Sequence, residues 1–180
     1  YAVIPENAVF SIGDLSFEQG AFMEPLSCVI HGIQKANIAI GDKVAVIGAG
    51  PIGNLMLKLL KTMATVEITV AERDPHQRER AEKNGADICL SDLSELKDTY
   101  YDVVIDATGV PSVMETTLQY VRKGGTVLLF GVPPMDSEMT VKPFTIFEKG
   151  LTILSSFTSV RNSYQAVDLL QTGRIDVSDI

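Results

Sequence analysis

Three closely spaced glycines could bind phosphate through the protein backbone. They fall in residues 48–53, directly after the apolar run 44–47 and at the start of a helical pattern. In such a turn the first glycine permits a tight bend, the second lets the backbone approach a diphosphate, and the third lets the helix pack close to the strand. The helix N-terminus adds free N–H groups and a positive dipole end. The turn reads Gly48-Ala49-Gly50-Pro51-Ile52-Gly53 and predicts dinucleotide binding, with a purely structural turn as the alternative.

A carboxylate follows the next apolar run. Residues 67–71 read as a strand, and Glu72 comes directly after them. An acidic residue about 20 positions after the turn accepts hydrogen bonds from the adenosine ribose hydroxyls and repels a 2′-phosphate. Glu72 therefore favours NAD over NADP. Arg73 leaves NADP open, because an arginine can contact a 2′-phosphate or lie over the adenine, and both side chains could also be solvated surface charges.

Two further polar or glycine-containing strings end apolar runs later in the chain. In an open α/β sheet, ligands bind beyond the carboxyl ends of the strands. We therefore expect these strings to form walls of the cofactor crevice, although each could be simple turn chemistry. The residues concerned are Ala107, Thr108 and Gly109 after the fourth run, and Phe130, Gly131 and Val132 after the fifth.

The elements that must position these residues alternate from residue 43 onward. Apolar runs predict strands at 44–47, 67–71, 87–90, 102–106, 126–130 and 151–155, and helical patterns lie at 52–63, 75–84, 111–121 and 164–171. Helical crossovers imply parallel pairing. Right-handed crossovers and six strands predict an α/β fold: a Rossmann doubly wound sheet in the order 3-2-1-4-5-6 with helices on both faces. Residues 133–149 read as irregular, and residues 111–121 read as a helix closed by Gly124-Gly125.

The region before this alternation reads differently. Residues 1–10 look extended, and a helix is predicted from Ser16, whose spacing to Gln19 is that of a capping box. Pro25 would kink or restart that helix.

The composition argues against several classes of partner. The 180 residues are 46% hydrophobic and 21% charged, as expected for a folded domain. A net charge of −8 disfavours nucleic acid and anionic membrane surfaces. No apolar run approaches the roughly 20 residues of a spanning helix, and no signal-peptide pattern is present. The two cysteines, Cys28 and Cys89, form no close motif and are interpreted as buried free thiols, so we expect a cytoplasmic location.

Five strings of the sequence together resemble the zinc-containing medium-chain dehydrogenase family, and the resemblance runs over essentially the whole chain. The string at residues 24–31 is most similar to the polyol (sorbitol, L-iditol) branch. The resemblance implies a parent enzyme that transfers hydride from a secondary alcohol to NAD, with zinc polarising the alcohol oxygen. The strings are Glu24-Pro25-Leu26-Ser27-Cys28-Val29-Ile30-His31, Gly41-Asp42-Lys43-Val44, the turn 48–53, Asp106-Ala107-Thr108-Gly109 and Gly131-Val132-Pro133.

In that family a catalytic domain built from both ends of the sequence carries an inserted nucleotide-binding domain. The resemblance assigns residues 1–37 to a connecting segment and helix of the catalytic domain, and residues 38–180 to the NAD(P)-binding Rossmann domain. Because the chain starts at Tyr1 and stops within a patterned stretch, we expect it to be a piece of a longer protein. The family's cysteine and His-Glu zinc ligands would lie upstream, so we expect this piece alone to be inactive and to hold no zinc tightly.

The resemblance also implies roles for single residues. Glu24 would lie at the catalytic zinc, as a ligand or through bound water; the alternative is a partly exposed charge beside Pro25. His31 is interpreted as structural. Ser156 and Phe157, after the sixth strand, would lie near the nicotinamide or pack at a subunit interface, since that strand joins the sheets of a dimer in the family. A homo-oligomer, dimer or tetramer, is expected through this edge strand.

Three other functions remain open. One is a dinucleotide-sensing module without catalysis. Another is an L-threonine dehydrogenase-like enzyme, although such enzymes more often carry Asp where Glu24 stands. The third is an S-adenosylmethionine-dependent methyltransferase, which also begins with a strand and a glycine-rich turn but fits the turn 48–53 and six strands less well.

Overall fold

A six-stranded parallel sheet forms the centre of the computed structural model, which describes residues 3–63, 66–159 and 161–180. The strand order is β3-β2-β1-β4-β5-β6, which confirms the predicted Rossmann topology. The strands are β1 Lys43–Ile47, β2 Glu67–Ala71, β3 Ile88–Leu90, β4 Tyr101–Asp106, β5 Val121–Leu129 and β6 Thr152–Ser155. The helices are α1 Phe17–Ala21, α2 Met23–Ala36, α3 Pro51–Thr62, α4 Pro75–Lys83, α5 Pro111–Tyr120, α6 Pro143–Lys149 and α7 Ser163–Gln171.

The two faces of the sheet carry separate hydrophobic clusters. Val44 and Val46 of β1 pack in the cluster that contains α2, α3 and α7, whereas Ala45 and Ile47 pack in the cluster on the α5 side. All four side chains are essentially inaccessible to solvent. A strand buried on both faces needs apolar residues at every position, which explains the continuous apolar runs in the sequence.

The capping box at the start of α1 is present. The Gln19 N–H donates to Ser16 Oγ at 3.2 Å, and the Ser16 N–H donates to Gln19 Oε1 at 3.0 Å. Pro25 restarts the helix, as expected: α1 ends at Ala21 and α2 has Pro25 in its first turn, where the missing N–H costs no helical bond. Helix α2 buries its apolar side in the same core as α3 and α7. The predicted division at residues 37 and 38 stays a prediction.

The start of β5 differs from the prediction. The strand begins at Val121 rather than at residue 126, so Gly124 and Gly125 lie inside it and do not close a helix. Gly124 has a φ of +71°, and a Cβ at Gly125 would lie 2.7 Å from the Asp102 carbonyl oxygen. The pair therefore forms an irregularity where the register between β4 and β5 shifts.

Helix α6 lies within residues 133–149, which the sequence predicted to be irregular. Pro143 is its first residue and Gly150, with a φ of +61°, is its C-cap. Lys149 Nζ donates to the carbonyls of Leu118 at 2.8 Å, Gln119 at 3.2 Å and Val121 at 3.2 Å, at the C-terminal end of α5. A cation at this position interacts favourably with the helix dipole and fixes α6 against α5.

Residues 6–8, expected to be extended, form a short 3-10 turn. In the described part of the chain, none of the helices has the length and apolar character that crossing a membrane requires.

Candidate cofactor site

The glycine turn has the backbone geometry that its sequence predicts. Gly48 has a φ of +95°, a conformation that L side chains rarely adopt. A Cβ at Gly53 would lie 2.1 Å from the Gly48 carbonyl oxygen, so only glycine allows α3 to approach the end of β1. A Cβ at Gly50 would meet no atom within 4 Å. The backbone at Gly50 thus borders open space at the N-terminus of α3, where Pro51 is the first residue.

Glu72 lies directly across from this turn. Its Oε2 accepts a hydrogen bond from the Ala49 N–H at 2.8 Å, and its Oε1 accepts one from the Asp74 N–H at 2.9 Å. Arg78 Nη1 donates to the carbonyls of Glu72 at 2.7 Å and Arg73 at 2.6 Å, which fixes the chain after β2. The Arg73 side chain is exposed.

A cleft of about 320 Å³ opens between the ends of β1, β2 and β4. Its walls include Gly48, Glu72, Arg73 and Thr108, which the sequence predicted. Its position beside the switch point between β1 and β4, and its size, suit the adenosine half of a dinucleotide. Ile47 and Ala71, the last residues of β1 and β2, also line it. Six further lining residues were not predicted, because they follow β3 or lie at the start of α5 without a motif of their own: Ser91, Asp92, Leu93, Val110, Ser112 and Val113.

Asp106 organises the segment after β4. Its carboxylate is fully buried and accepts hydrogen bonds from Thr108 N–H at 3.2 Å, Thr108 Oγ1 at 2.6 Å and Gly109 N–H at 3.1 Å. Its backbone carbonyl accepts from Phe130 N–H at 3.0 Å and Gly131 N–H at 2.9 Å. Asp106 belongs to the string 106–109 of the sequence analysis, which predicted no role for it. The signal was available, because an Asp side chain at the end of a strand commonly accepts a hydrogen bond from the backbone two residues further on and so stabilises a turn.

Gly109 and Gly131 bring the ends of β4 and β5 together. Gly109 has a φ of +71°, and a Cβ at Gly131 would lie 2.0 Å from the Gly109 nitrogen. The two predicted crevice walls therefore touch through their backbones. The Ala107 and Thr108 positions lie next to the glycine turn, because a Cβ at Gly48 would lie 2.9 Å from Thr108 Cγ2.

Helix α2 holds the segment after β6 against the end of β5. A Cβ at Gly32 would lie 2.8 Å from the Phe130 ring and 3.5 Å from Ser156 Cβ. The Ser27 and Ser159 hydroxyls form a hydrogen bond at 2.9 Å, and Lys35 Nζ donates to the Ser155 carbonyl at 2.6 Å. Phe130 and Ser156 are thus brought together on the β5–β6 side of the sheet, away from the 320 Å³ cleft.

The side chains at this end are not all packed. The Ser156 hydroxyl is buried and has no hydrogen-bond partner among the described residues, which fits a group able to bond a ligand. Val132 is 91% exposed and Phe157 is 87% exposed. Neither lines the 320 Å³ cleft. With the open space at Gly50, these features fit a dinucleotide, while the separate roles of these residues stay predictions.

Glu24 lies in the first turn of α2 and is exposed. Its Oε1 accepts a hydrogen bond from Cys28 Sγ at 3.2 Å. Burial and this carboxylate raise the pKa of the Cys28 thiol to about 11. Across the described ranges, no group of three or more His, Cys, Asp or Glu side chains could hold a metal ion. The residues present do not form a zinc site, and the zinc role of Glu24 stays a prediction.

Known proteins resemble this chain in sequence and in structure. Residues 51–172 match the family model of zinc-binding dehydrogenases. D-arabinitol dehydrogenase 1 of Uromyces fabae is 33% identical, over 97% of this chain and 54% of its own length. D-altritol 5-dehydrogenase of Agrobacterium fabrum is 33% identical, over 96% of this chain and 53% of its own length.

A solved structure gives the same answer. A protein assigned as a zinc-binding dehydrogenase from Sinorhizobium meliloti 1021, crystallised with NADP, superposes with a TM-score of 0.90 at 31% identity, covering 96% of this chain and 54% of that one. The chain therefore spans about half the length of the relatives it matches. These findings confirm the resemblance drawn from the motifs: the chain belongs to the zinc-binding dehydrogenase family and is similar to its polyol dehydrogenases.

Proposed function

We propose that this chain binds NAD and forms the cofactor-binding part of a dehydrogenase that oxidises a secondary alcohol, such as a polyol. The observation that carries the proposal is the glycine turn at residues 48–53, with open space at Gly50 and the Glu72 carboxylate beside it. The family relatives that act on D-arabinitol and D-altritol support a sugar alcohol as the substrate class.

Each part of the crevice has a separate task in this proposal. The turn and the N-terminus of α3 bind the diphosphate, since backbone N–H groups and the helix dipole favour negative charge. Glu72 accepts hydrogen bonds from the adenosine ribose. Phe130, Gly131 and Val132, with Ser156 and Phe157, surround the nicotinamide, and the buried Ser156 hydroxyl can bond its carboxamide. When bound, the nicotinamide supplies the hydride acceptor.

Zinc belongs to the full-length protein in this proposal. The described residues offer no metal-binding group of three side chains. Glu24 is the residue of this chain that we propose to contact that metal or its water. The piece alone is expected to bind cofactor without oxidising alcohol.

NAD is proposed as the preferred cofactor, because a carboxylate at Glu72 repels a 2′-phosphate. The Sinorhizobium relative was solved with NADP, and Arg73 lies next in the chain, so the preference needs a direct test. Calorimetric titration of the chain with NADH, NADPH and S-adenosylmethionine provides it. We expect NADH to bind at least about tenfold more tightly than NADPH, a difference of about 1.4 kcal/mol, and S-adenosylmethionine not to bind.

The same titration can overturn the proposal. If neither dinucleotide binds below roughly millimolar, an affinity of about −4 kcal/mol, the function is wrong. Tight binding of S-adenosylmethionine would favour the methyltransferase reading. A full-length protein that binds NADH but oxidises no polyol, and no L-threonine, would fit a dinucleotide-sensing module instead.

The edge of the sheet supports a proposal about assembly. Strand β6 is the last strand in the order, and no strand among the described residues pairs with its other edge. We propose that a second copy pairs there and gives a dimer or tetramer of the full-length protein, with a sedimentation-velocity mass two or four times that of one subunit. A monomer of the full-length protein at high concentration would contradict it.

A cytoplasmic location is also proposed, from the two free thiols, and cell fractionation tests it.

A further inference from the structure

A buried asparagine lies directly beneath the glycine turn. Asn54 follows Gly53 in α3, and its side chain is inaccessible to solvent. Its Nδ2 donates to the Ala49 carbonyl at 2.5 Å and to the Gly50 carbonyl at 3.2 Å. The glycine pattern ends one residue before Asn54 and so does not include it. The two hydrogen bonds satisfy the buried amide and fix two consecutive carbonyls of the glycine turn.

The planarity of the peptide bond gives these contacts a consequence. In a trans peptide unit the C=O and the N–H point in opposite directions. The Ala49 carbonyl shares its peptide unit with the Gly50 N–H. When Asn54 holds that carbonyl inward, the Gly50 N–H must point outward, into the open space where a Cβ of Gly50 would meet nothing within 4 Å.

Gly50 makes this restraint necessary. Its φ is −63°, but glycine populates positive φ almost as readily. A flip of the peptide between Ala49 and Gly50 would turn the carbonyl oxygen toward the crevice, where it would repel a phosphate. Pro51 has no N–H, so the next peptide unit offers the ligand no donor there. Whether the Gly50 N–H points at the ligand therefore depends on the orientation of the peptide between Ala49 and Gly50.

A second asparagine fixes the direction of the first. Asn84, the C-cap of α4, is 6% exposed and donates from its Nδ2 to Asn54 Oδ1 at 2.8 Å. With its oxygen occupied by this donor, the Asn54 amide can only present its NH₂ to the turn. The reversed amide would place its oxygen against two carbonyl oxygens.

We propose that Asn54, oriented by Asn84, is a positioning residue for the cofactor diphosphate: it holds the Ala49 and Gly50 carbonyls inward and so aims the Gly50 N–H at the phosphate. This inference rests on the proposed function, since it assumes that the turn binds a diphosphate. It adds to the glycine pattern a polar pair that selects the binding-competent peptide orientation.

The test compares ligands with and without a diphosphate. Asn54→Leu removes the donors at similar volume, and Asn54→Asp keeps the shape but removes the NH₂. Dissociation constants for NADH and ADP are measured by calorimetry, and those for adenosine by ligand-observed NMR. We expect both variants to bind NADH and ADP about tenfold or more weakly, which corresponds to the loss of about one such hydrogen bond, and adenosine within about twofold of the unchanged chain.

Two further variants separate positioning from stability. Asn84→Ala leaves Asn54 in place but frees its amide to rotate, and we expect a smaller loss for ADP that is not additive with Asn54→Leu. Asn162→Leu is the matched control, because Asn162 is also a buried asparagine whose Nδ2 donates to Gln34 and Gln165 side chains, away from the turn. It should lower the unfolding midpoint without changing ADP affinity.

Each outcome decides the proposal. Equal losses for ADP and adenosine, or unchanged ADP affinity in a folded Asn54 variant, would overturn it. If Asn54→Leu and Asn54→Asp do not fold, Asn84→Ala carries the test with the same two ligands. Failure of the unchanged chain to bind NADH at all would instead refute the proposed function, so the two failures are distinguishable.

Discussion

The Glu72 carboxylate accepts a hydrogen bond from the Ala49 N–H at 2.8 Å, and this contact joins the end of β2 to the glycine turn after β1. The second oxygen of Glu72 accepts from the Asp74 N–H at 2.9 Å. Two backbone donors thus fix the carboxylate, and each oxygen keeps a lone pair for a further donor. Glu72 can therefore support the turn and bind the ribose hydroxyls at the same time.

The first prediction follows from this double role of Glu72. Glu72→Gln keeps the size of the side chain but removes the negative charge and one acceptor oxygen. We expect NADH affinity to fall about tenfold, since hydrogen bonds to charged groups contribute about 1.5–3 kcal/mol. NADPH affinity should stay equal or rise, because the repulsion of the 2′-phosphate is lost. Dissociation constants from fluorescence titration measure both.

A matched control for this variant lies on α4. Glu79→Gln also removes one carboxylate, but Glu79 forms an exposed ion pair with Lys83 at 2.8 Å, a kind of pair that contributes little to stability. It should leave both affinities unchanged. An unaltered ratio of NADH to NADPH affinity in Glu72→Gln would refute the assignment of Glu72 to the ribose.

The second prediction uses two glycines of one turn as a pair. At Gly50 an added Cβ would enter open space, whereas at Gly53 it would lie 2.1 Å from the Gly48 carbonyl oxygen. Gly50→Ala should change the free energy of unfolding by no more than about 1 kcal/mol, the scale of an N-cap substitution. It should weaken NADH binding at least about tenfold, by about 1.4 kcal/mol, because the methyl group occupies the space of the diphosphate.

Gly53→Ala should behave in the opposite way. Its methyl group clashes with backbone rather than with a flexible side chain, so we expect a loss of at least about 1–3 kcal/mol in the free energy of unfolding, the cost of overpacking. Urea denaturation of both variants tests the contrast. A stable Gly53→Ala variant, or Gly50→Ala with unchanged NADH affinity, would contradict this account of the turn.

The sequence predicts the topology well for a physical reason. Each buried strand needs a continuous apolar run and each crossover needs a helix. Each element is therefore indicated by its own segment of the sequence, and the order of elements follows. The turn at residues 48–53 is local too. The error at β5 arose because Gly124 and Gly125 have the local signature of a helix stop. In the structure Gly124 is needed for its φ of +71°, and Gly125 for the close approach of the Asp102 carbonyl from the neighbouring strand.

The sequence did not predict helix α6 or the role of Asn54, for two other reasons. Phe144 and Phe147 of α6 lie three residues apart but are 68% and 81% exposed, so the helix buries no clear apolar stripe. Pro143 and Gly150 were its only strong local signals. The role of Asn54 depends on Asn84, 30 residues later in the chain. Contacts of that separation have no signature in a single sequence.

The third prediction concerns Asp106. Its buried carboxylate accepts three hydrogen bonds from Thr108 and Gly109. Asp106→Asn would place an NH₂ donor against these donors, and we expect a loss of about 2–4 kcal/mol in the free energy of unfolding, because charge-assisted bonds are lost and a buried donor is left unpaired. Asp98→Asn is the control, since Asp98 is exposed and accepts a single hydrogen bond from Gln119. Equal midpoints in urea for the two variants would show that Asp106 does not organise this turn.

The fourth prediction concerns the two thiols. Burial is the main cause that raises the pKa of Cys28 and of Cys89 to about 11. At pH 8 the thiolate fraction is then on the order of 100-fold lower than for a free cysteine with a pKa of about 8.5. We expect slow alkylation by iodoacetamide, with a rate that keeps rising beyond pH 10. Cys28→Ser and Cys89→Ser assign the two rates, and a plateau near pH 9 would contradict the prediction.

The fifth prediction separates the two thiols through Glu24. At Cys28 the hydrogen bond to Glu24 at 3.2 Å and the charge of that carboxylate add to the effect of burial, whereas at Cys89 the added charge is that of Glu82. Glu24→Gln removes the negative charge that disfavours the Cys28 thiolate, so the pKa of Cys28 should fall. Alkylation of Cys28 at pH 8, followed in the Cys89→Ser background, should then become faster. The rate of Cys89, followed in the Cys28→Ser background, should not change. An unchanged Cys28 rate would mean that burial alone raises its pKa and that the Glu24 carboxylate does not remain beside the thiol in solution.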